Sequence, residues 1–488
     1  KPMPVINTNI GSLQGVVHVS RTEKALNEAS ERLSSGKKLI SASDDAAGLA
    51  ISTRMTANIK SLNMAVKNAN DGQAMVSSVE GALDEIGNML LRMRELAVQS
   101  ISDTNSGKDR VYLQEEVNQL QAEITSIAGT TQFNGENVLD GSLNGKVLQV
   151  GPNGGQTVSF SVDNVSASTL GAYVRTGVAR AAIAVASAAP TNTTTNAEDL
   201  TINGTGSSKT IDVAAAASAK AVAAQINLVS AETGVSATAK THAKIESTSG
   251  TTATYSLKIN GTTTGNFSIS STSVADFVTK VNQITGTTGV SASADAGNTF
   301  ATLYSSTGAD ITIENEASGT DLDVYAVNFD GTTVSGAKQD FAAAGGNDAT
   351  TVAGAIQLSS SNSFSVTQAG TAALGYQTSG SGSLNAISNV NVKTSSSASN
   401  ALATIDGAIE KISSIRAGLG ALQNRLDHTI NNLTNISTQS QEAVSRIVDA
   451  DFAEETAKLT RAQILQQAGT AMLAQSNQSK QTVLALLA

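Results

Sequence analysis

Met55, Leu62, Ala69, Val76, Leu83, Leu90 and Ala97 follow one another at steps of seven. The companion positions Ile51, Ala65, Val79, Ile86 and Met93 are apolar too, with Asn58 and Gly72 as exceptions. A heptad sustained over this length predicts a long helix packing knobs into holes against another helix. Ser43, followed by Asp44 and Asp45, supplies its start: a hydroxyl to cap free N–H groups and acids for the first turn. The Ser/Asp/Asn/Gly cluster at 102–107 should end it. Upstream, Leu13, Val16, Val17, Leu26, Ala29 and Leu33 stripe a first helix within residues 8–40, closed near Gly36. Downstream, Leu113, Val117, Leu120 and Ile124 share one face of a helix over residues 109–127.

Heptads resume at Leu402, Ile405, Ile409, Ile412, Leu419, Leu426, Ile430 and Leu433 and continue to Val444 and Ile447, interrupted by Arg416 and Gln423. The final stretch, 447–488, has no proline and carries an apolar stripe at Leu465, Ala468, Met472, Val483 and Leu486. Acids at Asp449, Asp451, Glu454 and Glu455 suit its N-terminal dipole. A helix this mild takes its stability from packing. Its expected partner in the chain is the first helix, and the apolar face left over points to other copies.

Between the helical ends the grammar changes. Asn-Gly and Asp-Gly turns from residue 129 separate short runs at 146–150 and 157–162, which predicts a β-hairpin. Residues 181–394 are rich in Ser, Thr, Gly and Ala, and hold 8 Lys against 15 Asp and Glu, so they carry −7 of the net charge of −10. LTINGT at 200–205 returns as LKINGT at 257–262, and TGVSATA at 233–239 returns as TGVSASA at 288–294. Each copy reads as strand–strand–helix–strand, a small α+β unit. The regular apolar runs argue against a disordered Ser/Thr linker.

Composition narrows the chemistry. A pI near 4.9 argues against nucleic acid as partner. There is no cysteine, and His18, His242 and His428 are far apart, so thiol chemistry is excluded and a His cluster disfavoured. No HExxH, nucleophile elbow or phosphate loop occurs, and neither enzyme, metal nor cofactor is expected. Ser43, Asp44 and Asp45 read as a cap and a joint between helical blocks rather than a metal site. No apolar run is long enough to insert in a membrane, and the first residues lack a secretory apolar core. On these grounds alone the chain would be placed in the cytosol.

The motifs VINTNI near the start, ERLSSGKKLISASDDAAGLAI at 31–51, NANDG at 68–72 and LLRMRELAVQS at 90–100 resemble bacterial flagellin. So do QFNG at 132–135, LQVGPN at 148–153, GALQNRLDHTINNL at 420–433, SRIVDADFAEET at 445–456 and RAQILQQAGTAMLAQSNQ at 461–478. The resemblance covers roughly 1–175 and 400–488, and the middle is similar to the variable region of that family. Lys1 and Pro2 precede Met3, which looks like the natural start.

The resemblance implies a multidomain protein whose α-helical coiled-coil core and rod come from both chain ends. Residues 1–43 and 450–488 would form a terminal core, 44–180 and 395–449 a rod with a β-hairpin, and 181–394 an inserted β-rich, α+β outer region. It implies a subunit that self-assembles into the flagellar filament for swimming. The alternatives are a hook–filament junction protein, or a filament subunit with an added adhesin role in the outer region. It reverses the cytosolic placement: the chain would be extracellular, exported without a cleavable signal peptide through the type III flagellar apparatus. An export chaperone, the filament cap and hook-associated proteins would be its other partners.

Leu13, Val17, Leu26, Leu33, Leu465, Ala468, Met472, Val483 and Leu486 are expected to pack between subunits. Arg92, Glu95 and Leu96 lie off the heptad seam. In the family this stretch packs on a neighbour and is read by Toll-like receptor 5, and Arg92 and Glu116 match positions that matter there. The N-glycosylation pattern at Asn203 and Asn260 reads as chance, whereas O-linked glycans on Ser and Thr suit the outer region.

Overall fold

The computed structural model describes residues 9–178, 180–194, 199–316, 322–341, 348–369 and 376–485, with side chains in the last helix through Gln478. Helix α1 (Ile10–Ser35) starts where the Asn9 side chain accepts the Ser12 N–H, and ends at Gly36 with φ +69°, as its sequence predicts. Helix α2 (Ala46–Ile101) departs from expectation at its start. Asp45, not Ser43, is the cap: its Oδ1 accepts the Gly48 N–H at 2.9 Å. Ser43 stands too far upstream to reach a helical N–H, and its hydroxyl pairs with that of Ser41 at 2.6 Å. Asp44 turns back to accept the N–H groups of Ile40 and Ser41, which hold its carboxyl below the usual range.

Helix α3 (Gly107–Thr130) opens with a capping box between Ser106 and Asp109. Shorter helices follow: α4 (Ala219–Leu228), α5 (Ser230–Thr233), α6 (Ala275–Gln283) and α7 (Thr285–Thr288). Helices α8 (Ser395–Val448) and α9 (Phe452–Ala485) complete the chain. The heptad positions from Leu62 to Ala97 are buried, Met55 is half-buried, and Ile51 near the start of α2 is 41 % exposed.

The chain forms two compact units: residues 1–76, 145–160 and 421–488, and residues 77–144 and 161–420. In the first, Leu62 and Ala65 of α2 pack with Leu433 of α8. Gln73 bonds Asp427 at 2.8 Å and Ser437 bonds Asn63 at 2.9 Å, so the two helices run antiparallel. The predicted hairpin pairs Lys146–Gln149 with Thr157–Phe160. Its Leu148 occupies the space a side chain at position 72 would need, which explains the Gly72 gap in the heptad.

In the second unit Arg416, the interruption in the α8 heptad, reaches Glu80 at 2.7 Å and Asp84 at 3.0 Å. A two-residue turn, Asn134 (φ +53°) and Gly135 (φ +82°), joins Gln132–Phe133 to Glu136–Asn137. Residues 177–380 leave and return through adjacent antiparallel strands, Gly171–Thr176 and Ser383–Ala386. Beyond them, side chains of α2 and α3 strap the returning chain: Ser100 Oγ donates to the Val392 carbonyl, the Val392 N–H donates to Gln114 Oε1, and Gln121 Nε2 donates to the Ile387 carbonyl.

The internal repeat folds as expected. In the first copy strands Leu200–Asn203 and Ser208–Ile211 precede α4, α5 and strand Ser236–Ser247; in the second, Ala253–Ile259 and Thr262–Ile269 precede α6, α7 and Ser291–Ala294. The hairpin turn has four residues in the first copy and two in the second, and the second hairpin carries an irregularity between Thr263 and Asn266. Asn227 clasps the backbone of Ala237 at both N–H and carbonyl, and Asn282 clasps Ala292 in the same way. Each copy has its own core, one around Ile202, Val222 and Ile356, the other around Tyr255, Phe267 and Phe277. Strand Ser236–Ser247 belongs to both: Ser236–Lys240 pair with Ala355–Ser359, Thr241–Glu246 pair with Phe300–Ser305, and His242–Ser247 pair with Leu322–Val327.

Candidate assembly interface

Helices α1 and α9 lie against each other over most of their length. The pairs Asn9–Asn477, Gly15–Leu473, Val19–Gly469 and Arg32–Glu455 show that they run antiparallel. At the closed end the Lys38 N–H donates to the Val448 carbonyl and the Ala450 N–H to the Gly36 carbonyl, so the two connectors are stitched together. Ala29 and Ala462 are buried between the helices, and small residues let the backbones approach.

An ionic clasp sits near this end. Arg32 lies 3.5 Å from Asp44 and 3.8 Å from Glu455, while Lys458 bonds Glu455 at 2.9 Å and Glu454 at 3.0 Å. The hydrogen bond it donates to Glu455, then the one to Glu454, holds the Lys458 ammonium above its ordinary pKa. Glu455 is buried, and its Oε2 has no hydrogen-bond partner. The expected joint at Ser43, Asp44 and Asp45 therefore touches the terminal helices through Asp44.

Large apolar side chains face outward on both helices. Leu13 is 58 % exposed, Val17 49 %, Leu465 53 % and Met472 69 %. Ile10, Val16, Phe452 and Ile464 join them, and Ala468 is exposed as well. Leu26 and Leu33 are half-buried. Val483 lies in α9 beyond the described side chains, and Leu486 lies outside the described residues. Exposed apolar side chains grouped on one pair of helices make this surface a candidate interaction site.

The second group of candidates is split. Arg92 bonds Glu116 of α3 at 2.8 Å and Glu95 at 2.9 Å, and all three are well exposed. Leu96 is 1 % exposed, contrary to the expectation that it lies off the seam. At this level α2 has two helical neighbours: Arg94 pairs with Asp406 of α8 while Arg92 pairs with Glu116 of α3. The sequence reading also missed Gly15, Val19, Gly469 and Leu473. Their signal was a glycine four residues from a bulky residue on each helix, a spacing that shares one face.

Among the described residues no group of three His, Asp or Glu side chains could hold a metal ion, and no helix is long and apolar enough to cross a membrane.

Comparisons with known proteins place the chain in a family. Residues 6–144 match the bacterial flagellin N-terminal helical region, 402–487 the bacterial flagellin C-terminal helical region, and 199–251 the flagellin hook IN motif. The last match coincides with the first copy of the internal repeat. The B-type flagellin of Pseudomonas aeruginosa is 39% identical over 488 residues, with 99% of each chain covered. The flagellin of Salmonella typhimurium is 33% identical over 517 residues, again with 99% of each covered. Among solved structures, FliC from Burkholderia pseudomallei is 19% identical with a TM-score of 0.30, covering 72% of this chain and 99% of that one. From its helical ends to its inserted middle, the chain belongs to the bacterial flagellin family.

Proposed function

We propose that this flagellin, a structural subunit of the flagellar filament, polymerises through the paired terminal helices α1 and α9. The observation that carries the reading is the set of outward apolar side chains, Leu13, Val17, Leu465 and Met472, which the described residues leave about half exposed or more. Each fully covered side chain of this kind contributes about 2 kcal/mol, so a repeated contact of several is enough to drive association. A heterologous contact that does not close on itself generates a filament rather than a ring. Leu26, Leu33, Ala468, Val483 and Leu486 belong to the same surface in this reading.

Residues 1–43 and 450–488 act as the filament core, 44–180 and 395–449 as the rod, and 181–394 as the outer lobe. The role is structural rather than catalytic, and the chain works outside the cell. The export apparatus, its chaperone, the cap and the hook-associated proteins are the partners this role requires.

Deleting residues 465–488 should leave a soluble, folded rod that does not polymerise. Seeded polymerisation followed by sedimentation and electron microscopy is the measurement, and filaments from the truncated chain would sink the idea.

The Arg92–Glu116 pair supports a further reading, recognition by Toll-like receptor 5, because both charged side chains are exposed on the surface, bonded among the described residues only to each other and to Glu95. Arg92→Ala should weaken the response of a receptor reporter cell by about tenfold, the cost of losing a charge-assisted hydrogen bond. An unchanged response would count against it.

A further inference from the structure

Gly15 and Val19 stand one turn apart on α1, and Gly469 and Leu473 one turn apart on α9. Leu473 lies over Gly15: a Cβ there would sit 3.1 Å from Leu473 Cγ and 3.2 Å from Cδ2. Val19 lies over Gly469: a Cβ there would come within 2.9 Å of Val19 Cγ2. Each helix therefore offers one socket and one knob, and the exchange is reciprocal.

Such an exchange fixes the pair both along and around its axis. Moving one helix by a single residue shifts it about 1.5 Å and turns the facing side chain by roughly 100°. Both knobs would then meet side chains instead of bare backbone. Intrinsic propensity opposes glycine in a helix interior, so these two glycines must be justified by packing. Val19 cannot easily swing clear, because a β-branched side chain has one strongly preferred rotamer in a helix.

We propose that Gly15, Val19, Gly469 and Leu473 are positioning residues that set the register of the α1–α9 pair. By doing so they align Leu13 and Val17 on one helix with Leu465 and Met472 on the other into a single surface able to polymerise. This rests on the reading that those outward residues form the assembly surface.

The test is Gly469→Ala in the full chain, assayed by seeded polymerisation. Propensity alone predicts a neutral or helpful change; the socket predicts the reverse. The critical concentration should rise by about tenfold, since overpacking outweighs the propensity gain. Gly469→Ala combined with Val19→Ala should return to within about twofold of the parent, because the pair is restored as small against small. Gly418→Ala, whose new Cβ meets nothing within 4 Å, should polymerise like the parent. Normal polymerisation of Gly469→Ala overturns the register proposal and leaves the assembly surface standing. A double variant that does not recover rejects the socket as the cause. Normal polymerisation of Leu465→Ser would instead remove the surface on which the proposal rests.

Discussion

His242 stacks on Tyr304 with ring centroids 4.8 Å apart, and its Nδ1 is buried without a hydrogen-bond partner. Burial, then the nearby Lys240 charge, pushes its pKa down to about 4, with Asp330 opposing. The folded lobe therefore keeps the ring neutral where the unfolded chain, with a pKa near 6.5, binds a proton. Stability contributed by the neutral ring is intact above about pH 6.5, falls as pH drops toward 4, and is flat below; the loss is on the order of 3 kcal/mol. Urea unfolding of the parent and of His242→Gln at pH 7 and pH 4.5 should show a smaller pH dependence in the variant. An equal dependence in the two would refute this account. Single residues were also where sequence reasoning was least reliable. Spacing marked Leu96 as off the seam, yet it is buried, and a heptad drawn on one helix cannot reveal how many neighbours that helix has. Ser43 carried the right chemistry for a cap, but the helix begins late enough that Asp45 takes the role.

Elements were read more successfully, because they follow from local periodicity. The long helices obey the heptads, the hairpin obeys its turns, and the repeat folds as two copies of one unit. The exceptions are contacts made by residues distant in sequence. Nothing in the pattern showed that Gln114 and Gln121 would strap the returning chain, since a glutamine on a helix face reads as solvated. The adjacent strands Gly171–Thr176 and Ser383–Ala386 lead to a prediction at this level. Paired antiparallel backbones lie about 5 Å apart, so residues 177–380 can be replaced by an Asn-Gly turn without moving the strand ends. The shortened chain should still form filaments under the electron microscope. A soluble chain with intact helical circular dichroism and no polymer would mean that the lobe takes part in assembly.

At the scale of the whole molecule, the grouping of helical ends around an inserted middle was legible from the order of patterns alone. The sharing of strand Ser236–Ser247 between the two repeat copies was not, because nothing local distinguishes a strand paired by one module from a strand paired by two. The antiparallel meeting of α1 with α9 has a consequence for how the chain is made. The first of these helices is the earliest part translated and the other the last. Under the proposed assembly through this pair, a product cut short by early termination or trimmed by a protease would lack one half of it, and with it the means to join. Such a fragment would not occupy a growing tip and block it. The polymer would thereby check each chain for completeness and leave unfinished copies behind.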